Sequence, residues 1–119
     1  MENQFVSYKQ AVLLKELGFD EPCLKYWNGI GEYFDQKDWF NWNQSEKFIS
    51  IPLKQQVLRW FREKYNIIGL IEGGFDMTNI FTYCIWEGFK DKIYDDYYGT
   101  YEEAEDVLIN ILIDKVKNK

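Results

Sequence analysis

Two capping boxes, Ser7-Tyr8-Lys9-Gln10 and Thr100-Tyr101-Glu102-Glu103, fix a helix near each end of this 119-residue chain. In such a box the hydroxyl of the first residue accepts from the N–H of the fourth, whose side chain reaches back to the first N–H. After Ser7, the residues Ala11, Leu14 and Leu17 recur at helical spacing, and Gly18 suits the left-handed residue past the end. After Thr100, the apolar stripe is Ala104, Val107, Leu108, Ile111 and Leu112. Glu102, Glu103, Glu105 and Asp106 crowd the first turns of that helix, and Lys115, Lys117 and Lys119 its end, which matches the helix dipole. The similarity of the two boxes reflects shared capping chemistry, not duplication.

A third helix is predicted after Ile51-Pro52, running to about Tyr65, with Val57, Leu58, Phe61 and Tyr65 on its apolar face. Its cap position falls on Leu53, which has no acceptor. Either Ser50 caps one turn earlier or this helix starts less cleanly. Strand-like runs lie between the helices: Cys23 to Asn28, a weaker Gly31 to Phe34, Ile67 to Glu72 and Ile80 to Glu87. Gly73-Gly74 followed by Asp76-Met77-Thr78 suits a hairpin connection between the last two. The order α-β-β-α-β-β-α predicts an α+β fold in one domain, 1–119, with a small antiparallel sheet of about four strands and three helices on one face. The segment from Asp35 to Lys47 carries Trp39, Phe40 and Trp42 among amides and has no aliphatic residue. It reads as an ordered loop, or an edge strand with loops, that uses aromatics for contact.

Composition narrows the chemistry. Histidine is absent, which removes the Ser-His-Asp triad, the Cys-His pair, the imidazole zinc site and the histidine pH switch. Lys and Arg number 14 against 20 Asp and Glu, a net charge of −6, which disfavours binding to bulk nucleic acid. Cys23 and Cys84 are too few for a thiolate zinc site or a disulfide scaffold and read as reduced, buried thiols. The stretch from Met1 to Gln10 has no apolar segment of the kind a signal peptide needs. Val107 to Ile113 is too short to span a bilayer. The expectation is a cytoplasmic protein without membrane contact.

The 23 aromatic residues are unevenly placed. One cluster holds Tyr26, Trp27, Tyr33, Phe34, Trp39, Phe40 and Trp42; another holds Trp86, Phe89, Tyr94, Tyr97, Tyr98 and Tyr101. Rigid aromatics with amide neighbours supply large contact area at small entropic cost and stack on flat ligands. Phe34, Phe81 and Phe89 fit a core role. Trp39, Trp42, Tyr97 and Tyr98 fit core and contact roles equally. The only arginines, Arg59 and Arg62, lie three apart on the middle helix; they fit solvated surface, and they are the first candidates for any anionic ligand. The ligand-binding candidates are Trp27, Trp39, Trp42, Arg59, Arg62, Trp86, Tyr97 and Tyr98.

Neither Asp35 with Asp38 nor Asp91 with Asp95 and Asp96 has the spacing of a calcium loop. The glycines are not followed by the Lys-Ser/Thr of a phosphate loop, and Ser7, Ser45 and Ser50 lack a histidine partner. The sequence implies no catalytic residue, metal or cofactor, and a binding protein, not an enzyme, is expected. Should the aromatics remain exposed, a symmetric homodimer would bury them.

Three stretches carry a resemblance. They are Ser7-Tyr8-Lys9-Gln10-Ala11 continuing to Glu16-Leu17-Gly18-Phe19-Asp20-Glu21-Pro22-Cys23; Ile49-Ser50-Ile51-Pro52 with Gln55-Gln56 and Trp60-Phe61-Arg62-Glu63-Lys64-Tyr65; and Tyr101-Glu102-Glu103-Ala104-Glu105. Together they resemble a family of short uncharacterised proteins of phages, prophages and mobile elements of Bacteroidota. Members commonly show Ala-Pro-Thr where this chain has Ile51-Pro52-Leu53, so the missing cap is a departure. The resemblance brings no catalytic residues with it. It implies an accessory protein of a phage, acting in a bacterial host cell. The leading expectation is counter-defence by sequestering a nucleotide-derived immune signal, with aromatics on the base and arginines on the phosphates. The alternative is an inhibitor or adaptor that occludes a host defence protein through an acidic, aromatic-rich surface.

Overall fold

The computed structural model describes residues 4–30, 33–73, 80–87, 90–93 and 97–118. Its elements are α1 (Tyr8–Glu16), β1 (Cys23–Trp27), β2 (Tyr33–Phe40), a single 3-10 turn (Trp42–Gln44), β3 (Ile49–Ile51), α2 (Lys54–Tyr65), β4 (Ile67–Gly73), β5 (Phe81–Glu87), β6 (Lys90–Ile93) and α3 (Tyr101–Lys117). The class is α+β with three helices, as expected. The strands form two antiparallel sheets of three strands each, where the sequence suggested about four in one sheet. The additional strands, β3 and β6, are three and four residues long, too short to show a period. The chain divides into two compact units, 1–53 and 54–119.

In the first unit, β1 is the middle strand, flanked by β2 and β3. Lys25 lies opposite Asp35 and Ile51, and Trp27 opposite Tyr33 and Ile49. The β1–β2 register slips between Cys23–Phe40 and Lys25–Asp35, the mark of a bulge in β2. The first capping box forms in full: Gln10 N–H donates to Ser7 Oγ (3.1 Å) and Ser7 N–H to Gln10 Oε1 (2.9 Å). α1 stops where Gly18 takes φ +93°, with Phe19 N–H donating to Leu14 O and Gly18 N–H to Lys15 O. Val6, Ala11, Leu14, Phe19, Cys23 and Ile51 are buried.

In the second unit, β5 is the middle strand. Gly69 lies opposite Ile85, and Ile71 opposite Tyr83. These residues share a face with Ile67, and α3 packs on it: a Cβ at Gly69 would meet Leu108 Cδ1 at 3.0 Å and Leu112 Cδ1 at 3.2 Å. The missing side chain is what lets the helix approach. Gly73 is shielded in the same manner by the ring of its cross-strand neighbour Phe81. Beyond β6, Tyr98 pairs with Phe81 through two backbone hydrogen bonds. Thr100 caps α3 by accepting from Glu103 N–H (3.1 Å). The predicted hairpin turn at Gly74 and Asp76-Met77-Thr78 lies outside the described residues, as do Phe89, Tyr94, Asp95 and Asp96.

α2 begins at Lys54 without the Ser50 cap considered above. Ser50 belongs to β3, and its hydroxyl accepts from the Trp42 N–H (3.0 Å). The helix ends at Tyr65, and Asn66 takes φ +56°, a left-handed turn that asparagine tolerates.

Candidate functional site

The polar, aromatic stretch that resisted a simple reading is an end strand followed by a pinned loop. β2 supplies the strand, and residues 41–48 supply the loop. Loop backbone has no ladder partners, and its amides and hydroxyls take their place. Asn41 Oδ1 accepts from Asn43 N–H (3.1 Å), Asn43 Nδ2 donates to Phe19 O (2.8 Å), and Asn43 Oδ1 accepts from Ser50 N–H (2.9 Å). From α1, the Lys15 ammonium donates to Ser45 O and Phe48 O, both at 2.7 Å. The asparagines are therefore structural, placed where they satisfy buried backbone groups.

The pinned loop seats Trp42. Its indole stacks on Tyr26 with ring centroids 3.8 Å apart and 20° between planes. Phe48 meets it edge-on at 5.4 Å, and Phe40 lies 4.7 Å away. Rings this close leave no slot between Tyr26 and Trp42 for a ligand, so Trp42 acts as a local plug. Its Nε1 is buried and has no hydrogen-bond partner among the described residues. Trp27, the neighbour of Tyr26 along β1, faces the other side of the sheet by strand alternation. There it meets Tyr8 edge-on at 5.0 Å and stands opposite Tyr33. The Lys25 ammonium lies 4.9 Å from the Phe5 ring centre and 5.4 Å from that of Tyr33. This cation is one the sequence reading missed. It is brought to Tyr33 by strand register, which leaves no short-range signal.

The exposed aromatics of this unit concentrate on β2: Trp39 is 52% exposed, Tyr33 49% and Phe40 46%. β2 is also the end strand of its sheet. Large rings exposed together on an end strand are the kind of apolar surface that protein interfaces use.

The remaining candidates lie in the second unit. Arg59 and Arg62 are exposed on α2, in line with Gln55 at helical spacing. Trp86 is partly exposed on the sheet face opposite Ile85 and Gly69, away from α3. Tyr97 is exposed, and Tyr98 is half-buried with its ring stacked 6.2 Å from that of Tyr83. Tyr83 is on the α3 side, so Trp86 and Tyr98 are on opposite faces of this sheet. α2 also brings Lys64 to rings, 5.2 Å from the Trp60 ring centre and 5.8 Å from that of Tyr65. Its i, i+4 spacing from Trp60 was the available signal.

Cys23 and Cys84 are buried thiols outside any disulfide, and the Cys84 thiol donates toward Glu72 Oε1 at 3.4 Å. Among the described residues no group of three or more Cys, Asp or Glu comes together to hold a metal ion. Among them too, no helix is long and apolar enough to cross a membrane. No family model, curated protein or solved structure matches the chain.

Proposed function

We propose that this chain is a non-catalytic binding protein that occludes a partner protein through the exposed aromatics of β2. The observation that carries this reading is the placement of Tyr33, Trp39 and Phe40, three large rings each about half exposed on one end strand. The loop behind them is tied down by Lys15, Asn43 and Ser50, so the surface is presented with little entropy left to lose on binding. In the phage setting that the sequence resemblance implies, the partner is a host defence protein. A photo-crosslinking residue at position 39 tests the reading, with one at position 62 on α2 as control. A discrete protein adduct from position 39 and none from position 62 is expected. Equal labelling from both, or from neither, refutes the surface.

A second reading, sequestration of a nucleotide-derived signal, is favoured by the Tyr8–Trp27–Tyr33 group beside the Lys25 ammonium. The exposed Tyr8 and Tyr33 and the half-buried Trp27 next to a cation suit a base and its phosphate. In this reading Lys25 takes the part first given to Arg59 and Arg62. Calorimetry against cyclic nucleotides and ADP-ribose derivatives discriminates the two: heat that disappears in Lys25→Met supports the nucleotide, and its absence throughout supports the protein partner.

A further inference from the structure

The start of α2 is unusual in lacking both a capping side chain and an acidic residue in its first turn. It opens instead on a lysine, the wrong charge for the positive end of a helix dipole. Compensation comes from α3. Lys54 is 3% exposed, and its ammonium lies 3.0 Å from Asp106 Oδ1. Glu105 is 4% exposed and accepts from Gln55 Nε2 at 2.7 Å; the same Nε2 lies 3.0 Å from Tyr101 Oη. Among the described residues, the charged groups that bear on Glu105 are Lys54 from α2 and Glu102 and Asp106 from its own helix. Three carboxylates thus face one ammonium, and the half-exposed Asp106 already holds that ammonium. Among the described residues, Glu105 is the buried carboxylate left short of a counter-charge.

We propose that Lys54, Gln55, Glu105 and Asp106 form a proton-operated latch between α2 and α3, in which Glu105 takes up a proton as the solution is acidified and the first turn of α2 tightens. On protonation the Gln55 amide keeps an oxygen acceptor, Asp106 keeps Lys54, and the buried uncompensated charge disappears. The direction of the titration agrees. Burial raises the Glu105 carboxyl above its ordinary 4.5; the Lys54 charge and the Gln55 hydrogen bond pull it down, the charges of Asp106 and Glu102 push it up, and the result is upward. The folded chain therefore holds this proton more tightly than the unfolded one. The ionised group subtracts stability above the folded value, and that loss is recovered as pH falls through the folded value toward the unfolded one.

Amide hydrogen exchange on the full chain, corrected for intrinsic rates, tests the latch from neutral pH down to the ordinary carboxylate value of 4.5. Protection of the amides of 55–58 is expected to rise several-fold on acidification in the natural sequence. In Glu105→Gln it is expected to be high and flat across the range. Asp106→Asn is expected to diminish the rise, because it frees Lys54 to compensate Glu105 and removes a charge that pushes the Glu105 carboxyl up. A flat profile in the natural sequence, an unchanged rise in Glu105→Gln, or a larger rise in Asp106→Asn overturns the proposal.

Discussion

Lys15→Met removes a side chain that ties α1 to the loop behind β2. The methionine retains a stem of similar length while the ammonium is lost. Two charge-assisted hydrogen bonds go with it, to Ser45 O and Phe48 O, each 2.7 Å in the intact protein. A hydrogen bond to a charged group contributes about 1.5–3 kcal/mol, but Lys15 is half-buried and water reaches freed carbonyls at such a site; a combined loss of about 2 kcal/mol follows. For a chain of this size that is about 6–10 °C in Tm. The loss should be local before it is global. The amides of Asn43 and Ser50, which bond the loop's own side chains, should exchange up to about thirtyfold faster. Tryptophan emission should shift as the Tyr26–Trp42 stack loosens. Thermal melts by circular dichroism, hydrogen exchange and fluorescence measure the three effects. If Lys15→Met melts with the natural protein and its loop amides exchange at the natural rate, the loop is held by Asn43 and the aromatic stack alone, and the reasoning about Lys15 fails.

Gly69→Val should destabilise by about 1–3 kcal/mol in urea denaturation, because its branched side chain enters the space held by Leu108 and Leu112; Gly69→Ala should cost less, since leucine tips can shift by a few tenths of an ångström. Ser7→Ala should cost about 1 kcal/mol by removing the acceptor for Gln10 N–H, read as a lower Tm with the helical signal retained at low temperature.

The helix ends were the most legible part of the chain. Ser7 caps α1 and Thr100 caps α3 where the sequence places them, and Gly18 ends α1 in the left-handed conformation. Those features close within four or five residues, so short-range chemistry decides them. The stretch from Asp35 to Lys47 was legible in kind, as an end strand followed by an ordered loop, but not in detail. The asparagines there satisfy Phe19 O and Ser50 N–H, partners supplied by other parts of the first unit. Trp39 and Trp42, three residues apart in similar company, separate into an exposed ring on β2 and a ring stacked on Tyr26. Local composition is the same for both, so nothing short of the fold distinguishes them.

By itself the sequence determined where α1 and α3 start and where α1 stops, the α+β class, and the absence of every chemistry that needs an imidazole. Tertiary structure decided that the strands form two sheets, that Lys25 and not an arginine sits beside Tyr33, and that the uncapped start of α2 is compensated from α3. The physical reason is range. A cap or an apolar stripe is satisfied by neighbours a few residues away, and its signature survives in any short window. A strand register, a ring stack or the pairing of Lys54 with Asp106 joins residues that only the folded chain brings together.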